Sequence, residues 1–473
     1  MSCFSYPELL QASGGSALTP EQPFESARLW TDTRTVQPGD FFLPLSGERF
    51  DGHDYLEQAF GAGAIGAFVQ REKADQHPEW RKLPNLIAVD EPVLAYLAMA
   101  RLHREKINPL VVAVTGSSGK TTTKEMLYAA FSPLKKTVKT EKNFNNEVGV
   151  SQTLLALQPG TEVLVVEMGM RGLRQISILS EAARPDVALV VNVGPAHIGL
   201  LGSLENIAKA KLEIAEGMVP EKGILVINGD DSNLTKLAPT LWTGRTEAYH
   251  LAEAQEIQPF VEGDAEGIRF RYQGAKVELS VPGEHMVANA LAVLKTGEAL
   301  GFSAQELARG LSAFVPEKGR WERTALAGFN NVWVINDAYN ANPDSAKASL
   351  KAFLSTARPD MQHILVLGGM KELGDFSREY HEKLGLWLAG QPHIGALFTI
   401  GEEAQWIADA ASNAAYPVRY AGNVAHAVQQ IADGPVRLEN AILYLKGSRA
   451  YRLDEIPEAL IQQHNLQLGE ARS

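Results

Sequence analysis

Two glycines, a lysine and two threonines in the run Gly116-Ser117-Ser118-Gly119-Lys120-Thr121-Thr122 have the types and order that hold a phosphorylated nucleotide. Ahead of them Val111-Val112-Ala113-Val114 has the unbroken apolar character of a buried strand, and helical spacing begins at Thr121. The glycines therefore fall between a strand and a helix N-terminus, where unpaired backbone N–H groups and the helix dipole favour an anion. Lys120 can neutralise phosphate oxygens, and the hydroxyl of Thr121 or Thr122 can ligate Mg²⁺. A glycine-rich turn with an exposed lysine is the plainer alternative, yet strand, loop, Lys-Thr pair and helix all agree on phosphate. Only Ser117 and Ser118 separate the glycines, so the loop is shorter than the general G-x-x-x-x-G-K-[ST] pattern.

A carboxylate and an imidazole end two later strands. Glu167 follows the apolar run from Val163, and His197 follows the strand expected at 187–193 through Gly194-Pro195-Ala196. Open parallel sheets place ligands at their C-terminal strand ends, so both residues can share one cleft with the loop. By residue type alone His197 reads as a loop or helix-start residue before it reads as a metal ligand, because Mg²⁺ prefers oxygen. The helix expected at 203–218 carries the apolar stripe Leu204, Ile207, Ala208, Leu212, Ala215 and Met218; Lys211 borders that stripe and Lys209 points elsewhere. A sequestered, unpaired ammonium is costly, so Lys211 must find an acid, lose its proton or reach solvent along its stem.

The elements that must position these groups follow from periodicity. Up to about residue 105, short strands at 40–45, 64–69 and 86–89 alternate with helices from Asp54 and Pro92. The polar stretches Thr31-Asp32-Thr33-Arg34 and 47–53 are places where a ligand can meet loop backbone, or plain surface loops. From Val111 a βα series runs through strands at 111–115, 163–168, 187–193 and 223–228, then a hairpin at 268–281 and helices at 285–300 and 304–314. After Pro316 a second series has strands at 332–338, 363–368, 397–400 and 441–445, with helices at 344–355, 377–389, 402–412 and 423–433. Near-continuous Val/Ile/Leu strands between helices mean parallel sheets covered on both faces. The fold class is therefore α/β in three domains: 1–105, a small α/β domain; 106–316, a central phosphate-loop sheet; and 317–473, a Rossmann-like C-terminal domain.

Composition bounds the partners. A length of 473 residues exceeds a single core, and 45% hydrophobic with 21% charged residues is ordinary globular content. The formal net charge of −12 argues against a nucleic-acid surface. No apolar run suggests membrane insertion, and one cysteine, Cys3, permits no internal disulfide, so the expected setting is the cytoplasm.

The shortened G-x-x-G-K-T loop resembles that of the Mur ligase family, whose members use ATP to join amino acids or peptides to UDP-muramyl precursors; folylpolyglutamate synthases are relatives. The likeness continues in Lys142-Asn143-Phe144-Asn145-Asn146-Glu147-Val148-Gly149, in Ala210-Lys211-Leu212-Glu213-Ile214, in Pro282-Gly283-Glu284-His285-Met286-Val287-Ala288-Asn289-Ala290 and in Gly319-Arg320. It implies Mg²⁺ on Thr121, Glu167 and His197, a CO₂-carbamylated Lys211 that helps position the metal, adenine on Asn289, ATP phosphate on Arg320 and ribose on Asp337. Lys120, Glu167, His197 and Lys211 are thereby the implied catalytic set. Met286 stands where the family usually has Asn, which removes any capping contact made there.

The run Asn336-Asp337-Ala338-Tyr339-Asn340-Ala341-Asn342-Pro343-Asp344-Ser345 resembles the members that add D-Ala-D-Ala to UDP-MurNAc-tripeptide, as do Leu367-Gly368-Gly369-Met370-Lys371-Glu372-Leu373-Gly374, His381 and Leu445-Lys446-Gly447-Ser448-Arg449. It implies Tyr339, Asn340, Asn342 and Ser345 as substrate contacts; Ser345 or Asp344 can also cap the next helix. Thr33, Arg34, Asp51, Gly52 and His53 resemble the uridine-nucleotide site. Together these imply a monomeric ligase of peptidoglycan precursor synthesis that uses ATP and Mg²⁺ through an acyl phosphate. The rivals are a folylpolyglutamate synthase, which has no use for the uridine-type segments, a phosphotransferase to a stable acceptor, and a nucleotide-binding protein without turnover.

Overall fold

A computed structural model describes residues 2–47, 50–262, 265–434 and 437–470; Glu48 and Arg49 of the polar stretch at 47–53 lie outside the described residues. Three six-stranded sheets follow one another along the chain. In the first, Ala27–Trp30, Phe41–Phe42, Gly66–Gln70 and Leu86–Val89 run parallel, and Cys3–Phe4 and Ser16–Ala17 close the two edges antiparallel. The expected strand at 40–45 is only two residues long, because Pro44 and the following turn end the pairing.

The central sheet is parallel throughout, in the order Thr137–Lys139, Val163–Glu167, Leu110–Thr115, Val187–Val190, Ile224–Asn228, Arg245–Tyr249. Val111 to Val114, Leu164 to Val166 and Val187 to Val190 are wholly buried, as a sheet covered on both faces demands. The chain leaves Leu110–Thr115 first to one side and then to the other, so the loop at its C-terminal end opens at the switch point where such sheets bind ligands. The segment expected as a hairpin is two strands of a three-stranded antiparallel sheet, Gln255–Glu262, Ala265–Tyr272 and Ala275–Leu279. Its first strand is exposed along most of its length, and its polar and apolar residues do not alternate.

The C-terminal sheet has the order Glu322–Ala325, Val332–Asn336, Ala441–Lys446, Gln362–Gly368, Ala396–Ile400, Val418–Ala421, with only the first strand antiparallel. The edge strand Val418–Ala421 was not anticipated; it is short and half-exposed. One continuous apolar cluster runs from Phe4 through Val112 to Tyr444 and ties the three units together. In the helix Pro92–Ile107, Arg104 is buried and donates through Nε to Ala183 O at 2.9 Å and through Nη2 to Arg184 O at 3.0 Å. It thereby satisfies the C-terminal carbonyls of the helix Gln175–Ala183, joining the first unit to the second. No helix among the described residues is long and apolar enough to cross a membrane.

Candidate active site

The helix Lys120–Phe131 starts directly after Gly119, whose φ of 77° is left-handed and whose position leaves no room for a side chain: a Cβ there would lie 2.9 Å from Asn289 Oδ1. Asn289 is 5% exposed and stands against the loop, where the adenine contact was expected. No side chain caps this helix, so its first N–H groups face the cleft. The loop is braced from the neighbouring strand: Asn192 Oδ1 accepts from Ser118 N at 3.0 Å, its Nδ2 donates to Ser118 O at 3.1 Å, and Ser117 Oγ accepts from Gly194 N at 2.9 Å. Lys120 Nζ donates to Gly116 O at 2.9 Å, folded back over the loop. Burial lowers the pKa of its ammonium, Glu167 and Glu372 oppose that, and Arg320 adds to it.

From the C-terminal unit, Arg320 Nη2 donates to Thr121 Oγ1 at 3.1 Å, and its guanidinium carbon lies 4.5 Å from the centre of the Tyr339 ring. Asn342 Nδ2 donates to Ser117 O at 3.3 Å. Asp337 is held by Lys446 Nζ at 2.8 Å and by Tyr444 OH at 2.8 Å. These groups enclose a cleft of about 370 Å³ lined by residues 117–122, Asn289, Arg320, Asp337, Asn340, Asn342 and Ser345.

Two observations test a divalent cation. Glu167 is 1% exposed; its Oε1 accepts from Asn145 Nδ2 at 2.8 Å, and its Oε2 has no hydrogen-bond partner among the described residues. A buried carboxylate oxygen without a partner calls for a cation. No group of three or more His, Cys, Asp or Glu residues assembles a full metal cage among the described residues. Mg²⁺ takes one or two protein carboxylates and completes its shell from phosphates and water, so Glu167 is the residue here that bears on it. His197 sits at the start of the short helix Ile198–Leu201 with a left-handed φ of 64°, its Nδ1 2.7 Å from Glu372 Oε2.

Lys211 decides between its three options. It is 2% exposed, so its stem does not carry it to solvent, and among the described residues no acid lies within ion-pair distance. Burial, reinforced by the neighbouring charge of Lys120, holds its pKa well below the usual lysine range. A buried amine with no acid in reach, which burial pushes toward its neutral form, has the character of a nucleophile that an electrophile or an acid would complete.

The family models agree with this layout. The Mur ligase middle domain matches residues 114–297, the Mur ligase glutamate ligase domain 319–449, and the Mur ligase family catalytic domain 28–104. The UDP-N-acetylmuramoyl-tripeptide–D-alanyl-D-alanine ligase of Bacillus subtilis strain 168 is 35% identical over 442 residues, 91% of this chain and 92% of that one. The chain belongs to the Mur ligase family. The Synechocystis enzyme of the same name is 36% identical over 81% of this chain and 82% of its own. Among solved structures of Mur ligases, MurF from Acinetobacter baumannii superposes with a TM-score of 0.84 at 28% identity, covering 98% of this chain and 99% of that one. MurF ligase from Thermotoga maritima in complex with ADP gives 0.80 at 27% identity, covering 93% and 98%.

Within this Mur ligase several expected roles take a different form. The helix Pro343–Ser355 is capped by Asn342, not by Asp344 or Ser345: Asn342 Oδ1 accepts from Ser345 N at 2.9 Å, and Ser345 Oγ reciprocates on Asn342 N at 3.0 Å. Met286 is buried in the core, so the missing Asn there leaves packing rather than a cap. The expected helix at 203–218 is Leu204–Leu212 followed by a 3₁₀ turn, Glu213–Ala215.

Thr33, Arg34, Asp51, Gly52 and His53 follow the adjacent parallel strands Ala27–Trp30 and Phe41–Phe42 of the first sheet and do not line the nucleotide cleft. Arg34 is exposed and paired with Asp32 at 2.7 Å. His53 offers no free ring atom to a nucleotide: it is 4% exposed, its Nδ1 meets Asp51 Oδ1 at 2.8 Å, and its Nε2 accepts from Gln70 N at 3.0 Å. It shapes the loop from within. Glu372, Lys446, Asn192 and Lys124 carry no role in the sequence pattern, although the first three lie inside recognisable runs. Lys124 is fully buried between Glu125 at 3.1 Å and Glu317 at 3.0 Å, and nothing local marks it.

Proposed function

We propose that this chain joins D-alanyl-D-alanine to UDP-N-acetylmuramoyl-tripeptide at the expense of ATP, giving UDP-MurNAc-pentapeptide, ADP and phosphate for peptidoglycan precursor synthesis. The observation that carries it is one cleft in which the shortened phosphate loop, Arg320 and the 337–345 run face one another, in a chain 35% identical to a relative of that name across nine-tenths of its length. Residues 1–105 would hold the UDP end, 106–316 the ATP, and 317–473 the dipeptide while completing the ATP site. Monomeric action in the cytoplasm belongs to the same proposal.

A carboxylate and an amine do not condense at neutral pH without a better leaving group than hydroxide. The tripeptide carboxylate takes the γ-phosphoryl group to form an acyl phosphate; the dipeptide amine attacks its carbonyl carbon through a tetrahedral intermediate, and phosphate leaves. Carboxylate and γ-phosphate repel each other, by about 4 kcal/mol for unit charges at 4 Å and an effective dielectric of 20. Lys120, released from Gly116 O, and Arg320 bring positive charge to that meeting point. Bound Mg²⁺ would supply the remaining neutralisation, held by Thr121, Glu167 and His197. Lys211, pushed toward its neutral form by burial, would add CO₂ and lose a proton to become a carbamate, the acid that a cation site needs. Positioning and charge neutralisation do the work, as in other phosphoryl transfers.

Phosphate release measured with ATP, UDP-MurNAc-tripeptide and D-Ala-D-Ala together, and with each omitted in turn, tests the proposal. All three are expected to be required. Release that ignores the dipeptide overturns it, and transfer of phosphate to a stable acceptor, or binding without turnover, points to the rival classes.

A further inference from the structure

We infer that Glu372, on the turn after the strand Gln362–Gly368 of the C-terminal unit, is a positioning residue for His197 of the central unit. The divalent-cation site is then complete only when the two units are together; this rests on the reading of His197 as a metal-holding residue.

The argument is geometric. Glu372 Oε2 lies 2.7 Å from His197 Nδ1, a short contact in which the ring N–H points off the line to the oxygen, and Glu372 Oε1 lies 3.8 Å from Arg171 Nε. The carboxylate thus reaches out of its own unit to two cationic or N–H partners of the other. Both His197, at φ 64°, and Glu372, at φ 67°, are held in the left-handed region without being glycine. A side chain is tolerated there when its surroundings hold the backbone in place, and here the two strained turns are packed against each other. The backbones themselves meet: Gly199 N donates to Glu372 O at 3.4 Å, and a Cβ on Gly199 would lie 2.6 Å from Gly374 N.

An imidazole coordinates a cation only through a nitrogen that keeps its lone pair. A carboxylate 2.7 Å from Nδ1 needs only a small turn of the ring to accept its N–H, and that pairing keeps the proton on Nδ1 and the lone pair on Nε2, the ordinary orientation of metal-binding histidines. Here that carboxylate is supplied across the gap between units, so the orientation of a cation ligand depends on their closure.

The test uses the full chain with ADP, and Mn²⁺ as the probe read by electron paramagnetic resonance. Glu372→Ala is expected to weaken Mn²⁺ binding roughly 10–100-fold, Glu372→Gln to recover part of it, and ADP binding without metal to stay within about two-fold as the control for folding. Glu372→Gly, which removes the left-handed strain, is expected to match Glu372→Ala. In His197→Ala, Glu372→Ala is expected to cause no further loss, and ¹⁵N-histidine spectra are expected to show the Nδ1–H form of His197 only while Glu372 is present. Mn²⁺ binding of wild-type strength in Glu372→Ala, or full additivity with His197→Ala, overturns the inference alone. Wild-type binding in His197→Ala overturns the metal-ligand reading and the inference with it.

Discussion

Arg320 Nη2 donates to Thr121 Oγ1 at 3.1 Å, joining residues 199 positions apart across the gap between the central and C-terminal units. The hydroxyl expected to meet Mg²⁺ is thus held by the guanidinium expected to meet ATP phosphate, while Arg320 Nε has no hydrogen-bond partner among the described residues. The proposed role of Arg320 at the ATP phosphate asks this guanidinium, which lies over the Tyr339 ring, to exchange the Thr121 hydroxyl for a phosphate oxygen.

Arg320→Ala is expected to lower kcat/KM for ATP roughly 10–100-fold, the loss of one charge-assisted hydrogen bond worth about 1.5–3 kcal/mol. Steady-state kinetics with saturating tripeptide and dipeptide check it. An unchanged kcat/KM would remove Arg320 from the phosphate site.

Lys211→Ala is expected to abolish most ligase activity, because a carbamate would be lost from a buried position that nothing else fills. Added formate or acetate is expected to restore part of it, and wild-type enzyme prepared without CO₂ to regain activity with bicarbonate. Full activity in the variant refutes the carbamate.

Lys211 also sets a pH dependence of stability. Its pKa in the folded chain lies well below the unfolded value near 10.4, so between the two the unfolded chain binds more protons and stability rises with pH. In bicarbonate-free buffer Lys211→Met is therefore expected to be more stable than wild type at pH 7, by a margin that shrinks as pH approaches 10. Urea melts at several pH values read this; a margin that does not change with pH contradicts a depressed Lys211.

Lys446 is 5% exposed and pairs with Asp337 at 2.8 Å, while also donating to Asn340 O at 3.1 Å. Removing one partner of a buried pair strands the other, so Lys446→Ala is expected to destabilise the fold by about 3 kcal/mol. Asp337→Asn keeps the shape and is expected to cost less stability but to raise KM for ATP. Denaturant melts alongside ATP kinetics separate the two effects.

Gly199→Ala would place a Cβ against the backbone of Gly374 and Leu373, where no side chain can swing aside. The central and C-terminal units should be held apart in the presence of nucleotide and UDP-tripeptide, with kcat down roughly 10–100-fold. Small-angle scattering, showing a larger radius of gyration than wild type with the same ligands, checks it.

The strand, the shortened loop and the helix start at residues 110–122 could be read from the sequence because each is a local pattern: an apolar run, a spacing of glycines, a period of 3.6. The same holds for Glu167 and His197 as residues at strand ends, and for Lys211 as a neighbour of an apolar stripe. Local patterns failed where the deciding partner was remote. That His53 faces inward is set by Gln70 and Trp80, and that Lys124 is buried is set by Glu317. Which of its three outcomes Lys211 meets depends on what packs around it, and there the charged neighbour is Lys120, with no acid in ion-pair reach among the described residues. The sequence alone determined which chemical groups stand at the ends of the strands, because periodicity and backbone geometry place each residue on its own element. Only the tertiary structure decided that Glu372 meets His197 and Arg320 meets Thr121, because such pairs arise from the packing of two sheets that no short-range pattern encodes.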